Sequence, residues 1–414
     1  VTVMVGHAGS TVRERLAARA GLSFAVQEPQ LGTAHALQQA EPILAGKTGT
    51  VVLLSGDVPL LTRRTLQKLL EAHTSAGAAA TVVTAAMERP YGYGRIVRVD
   101  GQIARIVEER DASPAERQIR EINSGIYAFD LPPLFDALRG IASQNAQGEF
   151  YLTDLVGIYR RRKLPVETLL VDDPQEIRGI NSRTEPAGVG ALLRQKKNEE
   201  LMAAGVTLVD PATTYIDPRA EIGGDTVIHP GVVIEGPTRI GRACEIQAHV
   251  RIADAEIGDH VNINSFCVIV ESRIENGASV GPFAHLRPAS AVGEGAKIGN
   301  FVELKKTSLG AGSKVNHLAY LGDAVIGDKV NVGAGTITCN YDGEKKHQTI
   351  IEDGAFIGSD SQLVAPVKVG KGAYVAAGSS ITQDVPDGAL GIARARQNNI
   401  EGWVERKKAV PQKG

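Results

Sequence analysis

Aliphatic residues recur with a strict period over the second half of the chain. Ile216, Ile222, Ile228, Ile234, Ile240, Ile246 and Ile252 fall six residues apart. A five-residue step leads to Ile257, Ile263 and Ile269, and another to Ile274, Val280, Leu286, Val292, Ile298 and Leu304. Leu309, Val315 and Leu321 follow, then Ile326 and Val332. The beat then fails for some twenty residues and returns at Ile351, Ile357, Leu363, Val369, Val375 and Ile381. A hexapeptide period predicts a parallel β-helix, three short strands and three corners to a coil of about eighteen residues. The aliphatic side chain points inward, and coils stack about 4.8 Å apart. A five-residue step is absorbed at a corner. The long interruption can only leave the wall as an external loop, predicted over 338–350.

The first 180 residues pattern differently. Apolar runs such as "TVVLLSGDVPLL" (50–61) and "ATVVTAAM" (80–87) alternate with amphipathic segments such as "TRRTLQKLLEAHTSAG" (62–77), with Thr62 as a cap and Gly77 as a stop. Such alternation predicts an α/β domain around a largely parallel sheet, with ligands beyond the strands' carboxyl ends, where "SGDVPL" falls. Residues 185–204 read as a connecting helix, and nothing regular is read past Trp403. The expected divisions are 1–183 for the first domain, 184–205 for the linker helix, and 206–414 for the β-helix with its tail.

Composition narrows the function. Aromatics make up 4% of the chain and glycines number 46, which suits small corners more than large core plugs. A net charge of −2 lacks the basic excess that a nucleic-acid backbone requires. Three cysteines, Cys244, Cys267 and Cys339, form no disulfide framework, so a reducing cytoplasm is expected. No apolar run reaches membrane-spanning length. "AGKTG" (45–49) is not a phosphate loop, because Glu41 stands where the first glycine belongs.

Candidate chemistry gathers around the interruption. Arg287 and Lys305 lie eighteen residues apart, one coil, each directly after an inward-pointing leucine. Both should project outward, stacked about 5 Å apart. Either a carboxylate such as Glu303 compensates them or an anion binds there. His317 follows on the next coil, with Tyr320, Asn331, Asn340, Tyr341 and Lys346 within two coils or on the loop. A cation pair, a general-base candidate and several polar groups suit a phosphorylated polar ligand. A zinc reading fails on spacing: His249 and His285 are thirty-six residues apart, two coils and about 10 Å, with no third histidine beside either.

The motifs "GPFAHLRP", "GNFVELKK", "KVNHLAYLGDAVIGDKVNVGAGTITCNYDG" and "GSDSQLVAPV" resemble one half of a bacterial bifunctional family, the N-acetylglucosamine-1-phosphate uridyltransferase/glucosamine-1-phosphate N-acetyltransferases. "QLGTAHA", "GDVPL", "YGYGRI", "IVEERDA", "EINSGIY" and "NAQGEFYLTDL" resemble the other half, in family order. The resemblance implies an α/β nucleotidyltransferase domain (Rossmann-like), a left-handed parallel β-helix, a cytoplasmic homotrimer and a place in cell-wall precursor synthesis. It implies His317 as general base, with Arg287, Lys305, Tyr320, Asn331 and Lys346 on the sugar phosphate. Acetyl-CoA would meet Ala334, Asn340, Tyr341, Ser359, Ala377 and Arg394, with backbone N–H groups near Asn340 and Tyr341 facing the oxyanion. In the front half, UTP and the nucleotide sugar would meet Gln27, Gly32, Thr33, Ser55, Gly56, Asp57, Gly94, Glu108, Asn123 and Asn181, and Asp57 and Asn181 would hold Mg²⁺. The family's opening Gly-rich loop has no counterpart before Val1, so uridyl transfer is expected to be weak or absent in the chain as given. Alternatives are another sugar substrate and a non-catalytic trimeric scaffold.

Overall fold

A computed structural model describes residues 1–180 and 185–409. The chain forms two compact units, Val1–Val189 and Gly190–Gly414.

In the first unit, β1 (Thr2–Val5) and β2 (Ser23–Val26) make a parallel pair. The main sheet holds β3 (Thr50–Leu53), β4 (Ala80–Ala86), β5 (Arg95–Val99), β6 (Gln102–Val107), β7 (Glu121–Asp130) and β8 (Val166–Leu170). Its order is β6-β5-β7-β4-β8, with β3 also on β7. Only β4 and β8 run parallel; β7 is antiparallel to β3, β4 and β5, and β5 is antiparallel to β6. The expectation of a largely parallel sheet is therefore corrected. Alternating strands and helices leave strand direction open wherever a hairpin replaces a crossover. Here Asp100 and Gly101 take φ of 49° and 77°, which closes β5 onto β6 with the twist a two-residue hairpin needs. The helix Arg63–Ser75 starts as its sequence suggests, Thr62 Oγ1 accepting from Thr65 N–H at 3.1 Å.

In the second unit every strand lies parallel to the strand one coil along. Ile216, Ile234, Ile252, Ile269, Leu286, Leu304 and Leu321 form one inward column. Ile228, Ile246, Ile263, Val280, Ile298, Val315, Val332, Ile357 and Val375 form a second. The third runs from Ile222 through Ile257, Val292, Ile326 and Ile351 to Val369. These columns fill the prism; Ile246, Ile263 and Ile269 are 0% exposed. Each such side chain contributes about 1.5–3 kcal/mol of burial, which holds strands of two or three residues in register. The interruption is an external loop between the strands Ile337–Cys339 and Thr349–Ile351. Beyond the last coil, Trp403–Ala409 is a short helix where no element was expected.

Candidate active site

The two longest strands of the β-helix, Lys297–Lys305 and Lys314–Gly322, lie side by side and frame the candidate chemistry. Both turn a corner midway, at Phe301 (φ 57°) and Leu318 (φ 42°). His317 stands just before that corner, exposed, in register with Asn300 one coil below. Its Nδ1 is 2.9 Å from Asn300 Oδ1. With Nδ1–H donating, Nε2 faces solvent with no hydrogen-bond partner among the described residues.

Strand register, carried on from the paired residues, places Ala334 above His317, then Ser359 and Ala377 at successive coils, with Arg394 one residue past the register partner of Ala377. Asp360 N–H donates to Ala334 O at 2.7 Å, and Gly378 N–H donates to Ser359 O at 2.8 Å. Arg394 Nη1 donates to Ala377 O at 2.7 Å. Residues scattered over seventy-odd positions of sequence thus stack into one column rising from the imidazole, at about 4.8 Å per coil.

At the far end of the two long strands sits a knot of cations. Pairing of Leu286 with Leu304 stacks Arg287 under Lys305. Glu303 takes Arg287 in an ion pair of 2.8 Å, so one of the two alternatives is met. Lys305 remains, and Lys346 reaches it from the loop. Contact with Lys346, then the charges of Lys346 and Arg287, hold the Lys305 ammonium below the usual lysine range, with Asp323 opposing. Excess positive charge at an exposed edge is what an anionic ligand relieves.

Tyr320 lies over Gly322: a Cβ built on that glycine would stand 2.4 Å from Tyr320 Oη and 2.7 Å from Asn340 Nδ2. Asn340 Nδ2 donates to Asp323 Oδ2 at 2.5 Å, and Asp323 N–H donates to Lys305 O at 2.9 Å. Thr349 N–H donates to Asp323 O at 3.2 Å, so Asp323 clasps both ends of the loop. The loop is itself built: Tyr341 and Lys346 form an antiparallel bridge, and Asp342 accepts from Glu344 N–H, Lys345 N–H and His347 Nε2. Those bonds, Lys345 N–H foremost, push the Asp342 carboxyl far below the usual carboxylate range.

Two expectations change. Asn340 N–H already donates to Thr338 O at 3.0 Å and is not free for an oxyanion. Asn331 is in register with Lys314 and Phe356, on the face before the corner, whereas Tyr320 is in register with Glu303 on the face after it. One chain therefore gathers Arg287, Lys305, Lys346 and Tyr320 but holds Asn331 around a convex edge. Asn300 and Asp323 were not singled out in the sequence. Asn300 lies seventeen residues before His317, one coil with a short step, and that arithmetic would have found it.

In the first unit, Gly94, Glu108 and Asn123 meet. Asn123 N–H donates to Gly94 O at 2.9 Å, and a Cβ on Gly94 would be 3.4 Å from Glu108 Oε2. Asn123 Oδ1 accepts from Tyr127 Oη at 2.9 Å, and Thr153 Oγ1 donates to Glu108 Oε1 at 3.0 Å. Burial raises the Glu108 carboxyl above the usual range, against the Thr153 bond. Gln27 Nε2 donates to the carbonyl of Gly32, whose φ of 109° precedes the helix Thr33–Gln38. Thr33 Oγ1 accepts from Leu152 N–H at 3.1 Å. Ser55 Oγ is 3.5 Å from Gly125 O. Gly56 and Asp57 follow β3 in a loop, where Ile180 N–H donates to Asp57 O at 2.9 Å. Asn181 lies outside the described residues. The Asp57 carboxylate is an oxygen ligand of the kind Mg²⁺ prefers; among the described residues no three His, Cys, Asp or Glu side chains are grouped to hold a metal.

Residues 1–173 match the nucleotidyl transferase family, and 219–254 and 348–383 match the bacterial transferase hexapeptide (six repeats). The bifunctional protein GlmU of Trichlorobacter lovleyi is 50% identical over 409 residues, 99% of this chain and 89% of that protein. The chain belongs to the GlmU family. The GlmU of Pelobacter propionicus is 51% identical over 99% of this chain and 89% of its own, and that of Brevibacillus brevis 50% over 100% and 89%. GlmU membership joins both units in one protein, a nucleotidyltransferase domain followed by a left-handed parallel β-helix of hexapeptide repeats.

Proposed function

We propose that this GlmU-family chain transfers acetyl from acetyl-CoA to the amine of glucosamine 1-phosphate, and that its first unit serves uridyl transfer from UTP to the acetylated product, giving UDP-N-acetylglucosamine and diphosphate. The observation that carries the acetyl-transfer reading is the Lys305–Lys346–Arg287 knot at one end of a strand pair that bears His317 beside its midway corner. Lys305 is five residues beyond Asn300 on its strand, at most about 16 Å along an extended chain. Two long cationic side chains, an imidazole and a phosphosugar span that distance. The cations and Tyr320 hold the sugar phosphate, while acetyl-CoA lies along Ala334, Ser359, Ala377 and Arg394, beside Asn340 and Tyr341. His317 Nε2 takes a proton from the amine as nitrogen attacks the thioester carbonyl. The C–N bond forms, the C–S bond breaks, and CoA leaves as thiolate to be reprotonated.

The separation of Asn331 from Tyr320 by a corner supports a homotrimer in which a neighbouring copy brings its own Asn331 to the site. In the first unit, Asp57 with Asn181 would hold Mg²⁺, which neutralises the phosphates when bound; Gly94, Glu108 and Asn123 would hold the sugar, and Gln27, Gly32, Thr33, Ser55 and Gly56 the nucleotide. No helix among the described residues is long and apolar enough to cross a membrane; acetyl-CoA and UTP as co-substrates favour the cytoplasm, with no nucleic-acid partner. The test is His317→Ala, assayed by release of CoA thiol. Acetyl transfer should nearly vanish while the oligomer in sedimentation stays intact. Full activity refutes the base assignment, and a panel of amino-sugar phosphates tests the substrate.

A further inference from the structure

We infer that Asn300 is a positioning residue for acetyl transfer, its side-chain carbonyl fixing the tautomer and orientation of the His317 ring. The inference rests on the proposed role of His317 as base. A general base works only if the nitrogen facing the substrate is the unprotonated one. In neutral imidazole one nitrogen carries the proton, and the hydrogen bond made by the other face selects which. Asn300 Oδ1 lies 2.9 Å from His317 Nδ1, within ordinary hydrogen-bond length. An amide oxygen can only accept, so it holds the proton on Nδ1 and leaves the lone pair on Nε2, the nitrogen without a partner among the described residues.

The fold makes this contact stiff. Asn300 and His317 are register partners on adjacent coils, flanked by the pairs Ile298 with Val315 and Val302 with Ala319, all four of them buried. Both residues immediately precede corner residues in the left-handed region, Phe301 and Leu318, so the two side chains leave the wall at equivalent points. When Nε2 takes the amine proton, the ring becomes imidazolium. The Nδ1–H bond then points a carbonyl dipole at the new charge, and it strengthens as the charge forms. Neutral Asn accomplishes this without adding a fixed negative charge that would hold the ring protonated before substrate arrives. The column above His317 offers no substitute: Ala334 has no polar side chain.

The experiment uses the full chain and three variants. Asn300→Leu keeps bulk but lacks the acceptor, and it should lower kcat for acetyl transfer about 10- to 100-fold, part of the 10²–10⁴ that a positioned base contributes. KM for glucosamine 1-phosphate and acetyl-CoA should stay within about twofold, because Asn300 stands apart from the cation knot. Asn300→Asp restores an acceptor oxygen but adds a charge that favours imidazolium, so its rate should recover at alkaline pH while the acid limb of its kcat–pH profile moves to higher pH. Nitrogen-15 NMR of the His317 ring should show Nδ1 protonated in the parent and a tautomer mixture in Asn300→Leu. Added to His317→Ala, Asn300→Leu should cost nothing further. Unchanged kcat in Asn300→Leu, or an additive loss in the double variant, overturns the positioning role. Full activity in His317→Ala instead sinks the base assignment on which it rests.

Discussion

Replacing Gly322 by alanine tests how tightly the sugar end of the site is built. Gly322 does not sit at positive φ, so alanine meets no backbone penalty and the effect is purely steric. The added methyl would stand 2.4 Å from Tyr320 Oη and 2.7 Å from both Tyr320 Cζ and Asn340 Nδ2. Ordinary contacts are about 3.5 Å or longer, so the hydroxyl must retreat by about 1 Å. Tyr320 can swing outward, or Asn340 can withdraw and loosen its 2.5 Å bond to Asp323. Overpacking of this kind costs about 1–3 kcal/mol, and a lost hydrogen bond to a charged group about 1.5–3 kcal/mol. One movement relieves the other, so the two do not add. If about 1–2 kcal/mol appears in binding, KM for glucosamine 1-phosphate rises roughly 5- to 30-fold. The assay is steady-state acetyl transfer with each substrate varied, alongside thermal unfolding. Gly190→Ala is the control: nothing lies within 4 Å of its added Cβ, and it sits inside the helix Glu185–Ala203. Parent-like KM for both substrates and an unchanged Tm in Gly322→Ala would refute the placement of Tyr320 and Asn340 against that glycine.

Lys346→Ala should weaken glucosamine 1-phosphate, more at low salt than at high, as screening requires. It also frees Lys305 from its strongest depressing neighbour, so the alkaline fall in phosphosugar affinity should move to higher pH, read from KM across pH. Glu108→Gln should stabilise the first unit at pH 8 in urea titrations. The raised carboxyl contributes its full stability below its unfolded pKa of about 4.3 and loses it as pH rises through the higher folded value, so the variant's gain should vanish toward acid pH. Ile269→Ala empties a position that is 0% exposed in mid-prism and should cost about 2–5 kcal/mol, lowering Tm without altering KM.

The β-helix was legible because its signal is local and repeated. An aliphatic residue every sixth position has one economical burial, inside a three-sided coil, and the five-residue steps and the long interruption could be placed by counting alone. Stacking of Arg287 under Lys305 followed from the same count. So did the external loop, whose flanking strands end at Cys339 and resume at Thr349. Family motifs then named roles that no spacing could supply.

The tertiary structure decided what depends on pairing between distant segments. Strand direction in the first unit turned on the Asp100–Gly101 hairpin and on β7 lying antiparallel to three strands. The contact of Asn300 with His317, the clasp of Asp323 on the loop, and the turn of Asn331 onto another face all depend on which residues the corners bring over one another. Hydrophobic periodicity reports which way a side chain points, inward or outward. It carries no record of what waits beside an outward-pointing group one coil away, because that is set by register and corner geometry, summed over the whole stack.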